Sequence, residues 1–121
     1  MSSMEIGVTY QWTAKEGKMD ELRALYEAVA EQSKAEEPGI PWMNVYEVQG
    51  SDALIISEVF EDGAALGTHL GGTAAQHFPT LSEIADFGPF FVFGDVPDEL
   101  AQAASGMGAT LATRAFGFTR S

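Results

Sequence analysis

The stretch "MNVYEVQGSDALIISEVF", Met43–Phe60, contains two apolar segments separated by a turn sequence. Both segments, Met43–Gln49 and Ala53–Phe60, are rich in β-branched and aromatic residues, which is typical of strands. The intervening "GSD" consists of residue types that favour tight turns. The stretch therefore predicts a β-hairpin.

Strand and helix patterns continue on either side of the hairpin. Upstream, Glu5–Ala14 alternates apolar and polar residues as a strand does, and Met19–Glu36 places its apolar residues on one helical stripe. Downstream, Asp62 can cap a helix over 63–70. A helix restarts either at Thr73, where "TAAQ" fits a capping box, or at Phe78 beside Pro79. The remaining predicted elements are a strand at Phe90–Gly94, a helix at Pro97–Ser105 and a strand at Ala109–Thr119.

The order β-α-β-β-α-β, followed by a short helix and a strand, predicts one α+β domain over residues 1–121. Its fold would be a ferredoxin-like sandwich, an antiparallel sheet with helices on one face. The segments "ALIIS" and "FFVF" are apolar at successive positions, so both faces of this sheet should be apolar. Because the helices cover only one face, we expect a homodimer in which a partner's sheet covers the other.

Composition excludes several classes of partner and site. Six basic and eighteen acidic residues give a net charge of -12, which repels nucleic acid and anionic membrane surfaces. The chain has no cysteine, which removes disulfides, thiolate catalysis and most zinc sites. Met1–Trp12 does not have the pattern of a signal peptide, and no apolar run of about 18 residues occurs. We therefore predict a cytoplasmic protein without nucleic-acid or membrane partners.

The two histidines, His69 and His77, lie eight positions apart. Histidines that share a metal on one helix usually sit four apart, so no metal site is predicted. His69 follows Leu66 by three positions and should face the sheet, either as a core histidine bonded to a backbone carbonyl or at a pocket. His77 shares a stripe with Leu81, which favours packing but also permits a pocket position.

Glu58 lies two positions from both Ile56 and Phe60 and should point to the same apolar side. A carboxylate on an apolar face is unusual unless it is paired or borders a cavity. It therefore either forms an ion pair or hydrogen bond or belongs to a pocket. Tyr10 and Trp12 share one face of the first strand, where their polar tips need partners.

Several segments resemble the antibiotic biosynthesis monooxygenase family. They are "EEPGIPWMNVYEV" at 36–48, "SEVFEDGAALGTHL" at 57–70, and "FGPFFVFGDVPDELAQA" with "RAFGFTR" near the C-terminus. The resemblance covers nearly the whole chain and implies a dimeric α+β barrel. Departures are Phe60 where the family often has tryptophan, a longer gap before the second histidine, and no first-strand asparagine of the kind that haem-degrading relatives carry.

The resemblance implies a cofactor-independent monooxygenase that acts on a quinol or polycyclic phenol with O₂. His69 would be the base, and Glu58 would orient it or act as base itself. Tyr10 and Tyr46 would hold a phenolate oxygen. The expected catalytic residues are His69, Glu58 and Tyr46, and the expected contacts of the aromatic substrate are Tyr10, Trp12, Phe60, His77 and Phe91.

No cofactor is predicted, because no glycine-rich strand-to-helix turn of the dinucleotide-binding type occurs. Three alternatives remain open. The first is a small-molecule-binding protein without turnover. The second is a haem-binding or haem-degrading protein with His69 or His77 as axial ligand. The third is an isomerase or decarboxylase that uses the same base without oxygen.

Overall fold

A computed structural model describes residues 5–120. Of the segment Met1–Trp12, for which the sequence predicts no signal peptide, the first four residues lie outside the described residues. Its strands form one five-stranded sheet in the order β2-β3-β1-β4-β5. The elements are β1 (Ile6–Ala14), α1 (Met19–Glu36), β2 (Trp42–Glu47), β3 (Ala53–Phe60), α2 (Gly63–Gly71), α3 (Thr73–Ile84), β4 (Ala85–Phe93), α4 (Asp98–Gly106) and β5 (Thr110–Ala112). The α+β ferredoxin-like prediction is confirmed. The first four strands pair antiparallel, as expected, whereas β5 pairs parallel with β4 and makes the sheet mixed.

Strand β1 forms the centre of the sheet and its alternation creates the core. Tyr10 pairs with Ile56 of β3 on one side and with Phe90 of β4 on the other, and all three side chains are buried under the helices. The predicted hairpin joins β2 to β3, with a backbone hydrogen bond of 3.0 Å from Val48 N to Ala53 O at its turn. Helix α1 buries the stripe of Leu22, Tyr26, Val29 and Ser33 against this face.

The start of α3 differs from the predicted capping box. The helix begins at Thr73, but its N-cap is Gly72, and no side chain caps it. The Thr73 hydroxyl instead donates to the carboxylate of Glu37, because tertiary packing places that acceptor beside it. Pro79 lies inside α3, so packing of the neighbouring Phe78 and Leu81 against the core outweighs the backbone hydrogen bond that proline cannot donate.

Two strand predictions had wrong bounds. Strand β4 begins at Ala85, well before the predicted Phe90, because Ala85 pairs with Ala14 at the far end of β1. Strand β5 ends at Ala112 rather than Thr119, because its partner β4 ends at Phe93. Beyond β5 the chain has no regular structure up to Arg120.

The sheet face opposite the helices carries large apolar side chains that are open to solvent. We call this the outer face; its exposed members are Trp42, Tyr46, Phe91 and Phe93, and Phe91 and Phe93 stack with ring centroids 6.2 Å apart. The prediction that both faces of the sheet carry apolar side chains is therefore confirmed. Within residues 5–120, no helix combines the length and the apolar character needed to cross a membrane.

Candidate functional site

A mainly apolar cavity lies between the inner face of the sheet and helices α1, α2 and α3. Its volume is about 50 Å³, which is room for a few water molecules. Met107, just after α4, also borders it and is partly exposed. The lining residues are Val8, Tyr10, Trp12, Tyr26, Val29, Glu58, Phe60, Leu66, His69, Leu70, Thr73, Ala74, His77, Phe78, Leu81, Phe87, Phe90 and Met107.

His69 is buried in this cavity and forms a pair with Glu37. Helix α2 is fixed at its start by Asp62, whose carboxylate accepts a 2.8 Å hydrogen bond from Ala65 N, and its inward stripe contains Leu66 and His69. The Nδ1 atom of His69 lies 3.0 Å from Oε1 of Glu37. Both side chains are almost fully buried, so the expected core histidine has a carboxylate partner rather than a backbone carbonyl.

Glu58 extends from β3 toward the other nitrogen of the same imidazole. Its Oε1 lies 3.7 Å from His69 Nε2, which is beyond a direct hydrogen bond. The side chain is 1% exposed, and its Oε2 has no hydrogen-bond partner among the described residues. Burial raises the pKa of Glu58, and this outweighs the opposite effects of His69 and the Tyr10 hydroxyl. Glu58 therefore keeps its proton to a higher pH than an exposed glutamate and can donate a hydrogen bond.

Two buried tyrosines extend this polar cluster. The hydroxyls of Tyr10 on β1 and Tyr26 on α1 are hydrogen-bonded to each other. Burial, followed by the nearby Glu58 carboxyl, raises the pKa of Tyr10 and of Tyr26 above the usual 10.0. Both phenols therefore stay protonated at neutral pH and can act as hydrogen-bond donors.

Aromatic rings form the rest of the wall. Trp12 lies 4.9 Å from Phe87 and 5.2 Å from Phe78 between ring centroids, in tilted or edge-on arrangements. The ring of Phe60 lies 5.3 Å from that of His69. Such a wall suits a flat, apolar ligand, because aromatic pairs favour offset and edge-to-face contacts.

The cavity brings together most of the predicted site residues, namely Tyr10, Trp12, Glu58, Phe60, His69 and His77. His77 is half-buried, and its Nε2 lies 2.7 Å from the side-chain oxygen of Gln32. The two histidines thus have different partners. Among residues 5–120, no three side chains of His, Asp or Glu are grouped so that they could hold a metal ion.

Tyr46 and Phe91 are not brought to the cavity of their own chain. Tyr46 pairs with Ile55 on the outer face and is 55% exposed, while its neighbour Val45 pairs with the inward Ile56. Phe91 is 36% exposed on the same outer face. The reason is the two-residue period of a strand, which sends successive side chains to opposite faces.

Three polar groups of the cluster were missed by the sequence analysis: Glu37, Thr73 and Tyr26. Glu37 stands in the sequence analysis only as part of the segment at 36–48, and it is 32 positions from His69. A carboxylate at a helix end is common on protein surfaces, so its burial is visible only in the tertiary structure. Tyr26 lies within the predicted helix Met19–Glu36, and the need of its buried hydroxyl for a hydrogen-bond partner was the available signal.

Comparison with known proteins identifies a matching family model and several solved structures with a similar fold. The family model for antibiotic biosynthesis monooxygenase matches residues 6–80. MupZ from Pseudomonas fluorescens is 19% identical over 97% of this chain and 95% of that chain, with a TM-score of 0.83. SnoaB from Streptomyces nogalater, a cofactor-independent oxygenase, is 17% identical over 75% of this chain and 92% of that chain, with a TM-score of 0.64.

A putative antibiotic biosynthesis monooxygenase from Caulobacter crescentus is 20% identical over 74% of this chain and 85% of that chain, with a TM-score of 0.64. At such identities the solved structures establish a shared fold only. No curated protein matches the sequence. Since the family model covers more than half of the chain, the chain belongs to the antibiotic biosynthesis monooxygenase family, as the resemblance of its sequence predicted.

Proposed function

We propose that this protein is a cofactor-independent monooxygenase that binds a small electron-rich aromatic molecule, a quinol or phenol, and removes a proton from it. The observation that carries the proposal is the buried pair of His69 and Glu37 beside Glu58 and the two tyrosines, in a cavity that is otherwise apolar. Buried titratable groups with perturbed pKa values inside a cavity are typical of acid–base sites.

The reaction needs no redox group from the protein, because the substrate is the reductant. A ring CH₂ next to a phenolic or ketone system loses a proton to a base, and the resulting carbanion is stabilised as a phenolate. This anion adds to O₂ and forms a peroxide, which takes up a proton. The hydroperoxide then loses water, so that CH₂ becomes C=O while one oxygen atom leaves as H₂O. The four electrons that reduce O₂ all come from the substrate carbon.

The cavity residues fit the steps of this reaction. His69 Nε2 faces Glu58 and serves as the base, since imidazole has a reference pKa near neutral. Tyr10 keeps its proton and donates a hydrogen bond to the developing phenolate oxygen, as oxyanion-type donors do. Glu58, whose pKa is raised by burial, is the second donor in its protonated form. Trp12 and Phe60 pack against the rings of the substrate.

The size of the cavity constrains the substrate. A volume of about 50 Å³ holds a few water molecules, whereas sites for drug-sized ligands have roughly 300 Å³ or more. Ligand entry therefore involves displacement of lining side chains such as Phe78 and the partly exposed Met107. Single-ring and two-ring substrates require less displacement than polycyclic ones and should bind more tightly.

The active form is proposed to be a homodimer in the cytoplasm. Its interface would be the outer face, where Trp42, Tyr46, Phe91 and Phe93 are open to solvent in the single chain. In such a dimer Tyr46 and Phe91 contact the partner's sheet, so any contribution they make to the site is indirect.

A second candidate is a proton-transfer enzyme, an isomerase or decarboxylase, that needs no oxygen. The observation that favours it is the presence of a base, His69, and a separate acid, Glu58, on one small cavity; in the described part of the chain, Oε2 of Glu58 has no hydrogen-bond partner. Such a pair suits removal of a proton at one carbon and delivery to another.

Oxygen uptake by the pure protein with a panel of hydroquinones and anthrones tests these proposals. The wild type should consume O₂ above the spontaneous rate, and His69→Ala, which removes the base, and Glu58→Leu, which removes a hydrogen-bond donor, should lower that rate about 10²-fold or more. Glu16→Leu, which changes an exposed carboxylate in the same way, should not. Product formed equally under argon would instead support the proton-transfer enzyme, and saturable binding with no product would indicate a binding protein.

A further inference from the structure

Glu37 lies between the inner cavity and a second, outer cleft. The outer cleft has a volume of about 320 Å³ and is bordered by Glu36, Glu37, Glu61, Asp62 and the Pro38–Gly39 turn. His69 borders the inner cavity, and Glu37 does not. The 3.0 Å contact between the two side chains therefore joins two spaces that the fold otherwise separates.

Both oxygens of Glu37 are used as acceptors. Thr73 donates its hydroxyl proton to Oε2, and Nδ1 of His69 lies against Oε1. A carboxylate has no proton of its own to donate, so the proton in the second contact belongs to the imidazole nitrogen. In a neutral imidazole the other nitrogen, Nε2, then has the free lone pair. Nε2 is the atom directed toward Glu58.

We propose that Glu37 is a positioning residue that keeps the ring proton of His69 on Nδ1 and thereby presents Nε2 to the inner cavity as the base. The backbone of Glu37 is fixed at both ends: its N–H donates to Ser33 O at the end of α1, and its carbonyl oxygen accepts from Ile40 N. Thr73 at the start of α3 donates to the second oxygen of its carboxylate. The backbone and the carboxylate of Glu37 are thus both held, as expected for a group whose orientation matters.

The same arrangement provides a route for the substrate's proton, a consequence that rests on the proposed function. When Nε2 takes a proton from the substrate, the ring becomes an imidazolium whose Nδ1–H stays hydrogen-bonded to Oε1 of Glu37, and the carboxylate charge stabilises it. The peroxide formed later needs one proton. Nε2 supplies it, and the imidazole returns to its starting form, so no proton is gained or lost.

Nitrogen-15 NMR of the histidine side chains tests the position of the proton without any substrate. The chain has only two histidines, so His77→Gln assigns both sets of signals. In the wild type, His69 should show a protonated, pyrrole-type Nδ1 and an unprotonated, pyridine-type Nε2. In Glu37→Leu, which removes the acceptor but fills the space, Nδ1 should lose its preference for the ring proton, and a protonated, pyrrole-type Nε2 should appear.

A protonated Nε2 in the neutral wild-type ring, or unchanged nitrogen signals in Glu37→Leu, would overturn the proposal. The matched control is Glu31→Leu, on the exposed side of the same helix, which should leave the signals as they are. If Glu37→Leu does not fold, the wild-type spectrum alone still decides which nitrogen carries the proton.

Oxygen uptake then tests the effect on turnover. Glu37→Gln keeps the shape of the side chain but has no negative charge to stabilise the imidazolium, so kcat should fall about 10²-fold while KM changes little. A kcat equal to that of Glu31→Gln would remove this role of Glu37 in turnover. Absence of uptake in the wild type would remove the proposed function, and the nitrogen spectra would still decide the role of Glu37.

Discussion

Replacement of Glu58 by glutamine should stabilise the protein at neutral and alkaline pH, but not in acid. The carboxyl is 1% exposed, its Oε2 lacks a hydrogen-bond partner within residues 5–120, and burial raises its pKa above the usual 4.5. A raised pKa in the folded state means that the folded protein holds this proton more tightly than the unfolded chain does. The associated stability is complete below pH 4.5 and is lost as pH rises through the folded-state pKa.

The magnitude follows from the linkage between protonation and folding. Between the usual pKa and the raised one, unfolding releases one proton from Glu58. The free energy of unfolding of the wild type should therefore fall by up to about 1.4 kcal/mol per pH unit relative to Glu58→Gln, whose amide does not titrate. Above the folded-state pKa the two curves should again run parallel, with the variant more stable.

Urea denaturation from about pH 4 to about pH 9 measures this difference, at one protein concentration because a dimer's stability depends on it. Equal m values would show that the two unfolding reactions expose similar surface. Glu16→Gln, at an exposed position, is the control for the loss of one carboxylate. If the curves for the wild type and Glu58→Gln stay parallel over the whole range, the idea that folding raises the pKa of Glu58 is refuted.

Three further predictions concern the framework of the site. A Cβ at Gly39 would lie 2.7 Å from that of Ala65, so Gly39→Ala should cost about 1–3 kcal/mol in urea denaturation. Adding Ala65→Gly should recover part of this loss, and a double variant no more stable than the single one would contradict the clash. Tyr26→Phe leaves the Tyr10 hydroxyl without its partner and should cost about 1–3 kcal/mol in thermal unfolding; an unchanged Tm would count against that bond. Phe93→Asp puts a charge on the outer face and should give a monomer by light scattering, and a persistent dimer would place the interface elsewhere.

The sequence determined the elements whose pattern is local. Helix α1 and strand β3 have the bounds that periodicity predicted, because an apolar stripe and an alternation are readable within a few residues. The same periodicity placed Glu58 and His69 on the inner face correctly. Recurring motifs at 36–48 and 57–70 also indicated the family, which the match over residues 6–80 confirms.

Local patterns failed where pairing partners decide the outcome. The sequence of "FFVF" contains no sign that β4 starts at Ala85, since this depends on the length of β1 available for pairing. Thr73 is a residue type that favours helix capping, but its hydroxyl donates a hydrogen bond to the buried carboxylate of Glu37, just after α1. The sequence likewise did not show which side chains of β2 and β4 point inward, because in a run of apolar residues either set of alternate positions can face the core.

The site itself was decided by tertiary structure. Glu37 and His69 are 32 positions apart in sequence, and they meet because the fold brings the residue after α1 beside the last turn of α2. The raised pKa of Glu58 has the same origin, since it comes from side chains of several elements that exclude water from one carboxyl group. Periodicity thus sets which side of a strand or helix a group faces. The hydrogen-bond partners of that group and its pKa depend on which other parts of the chain pack against it.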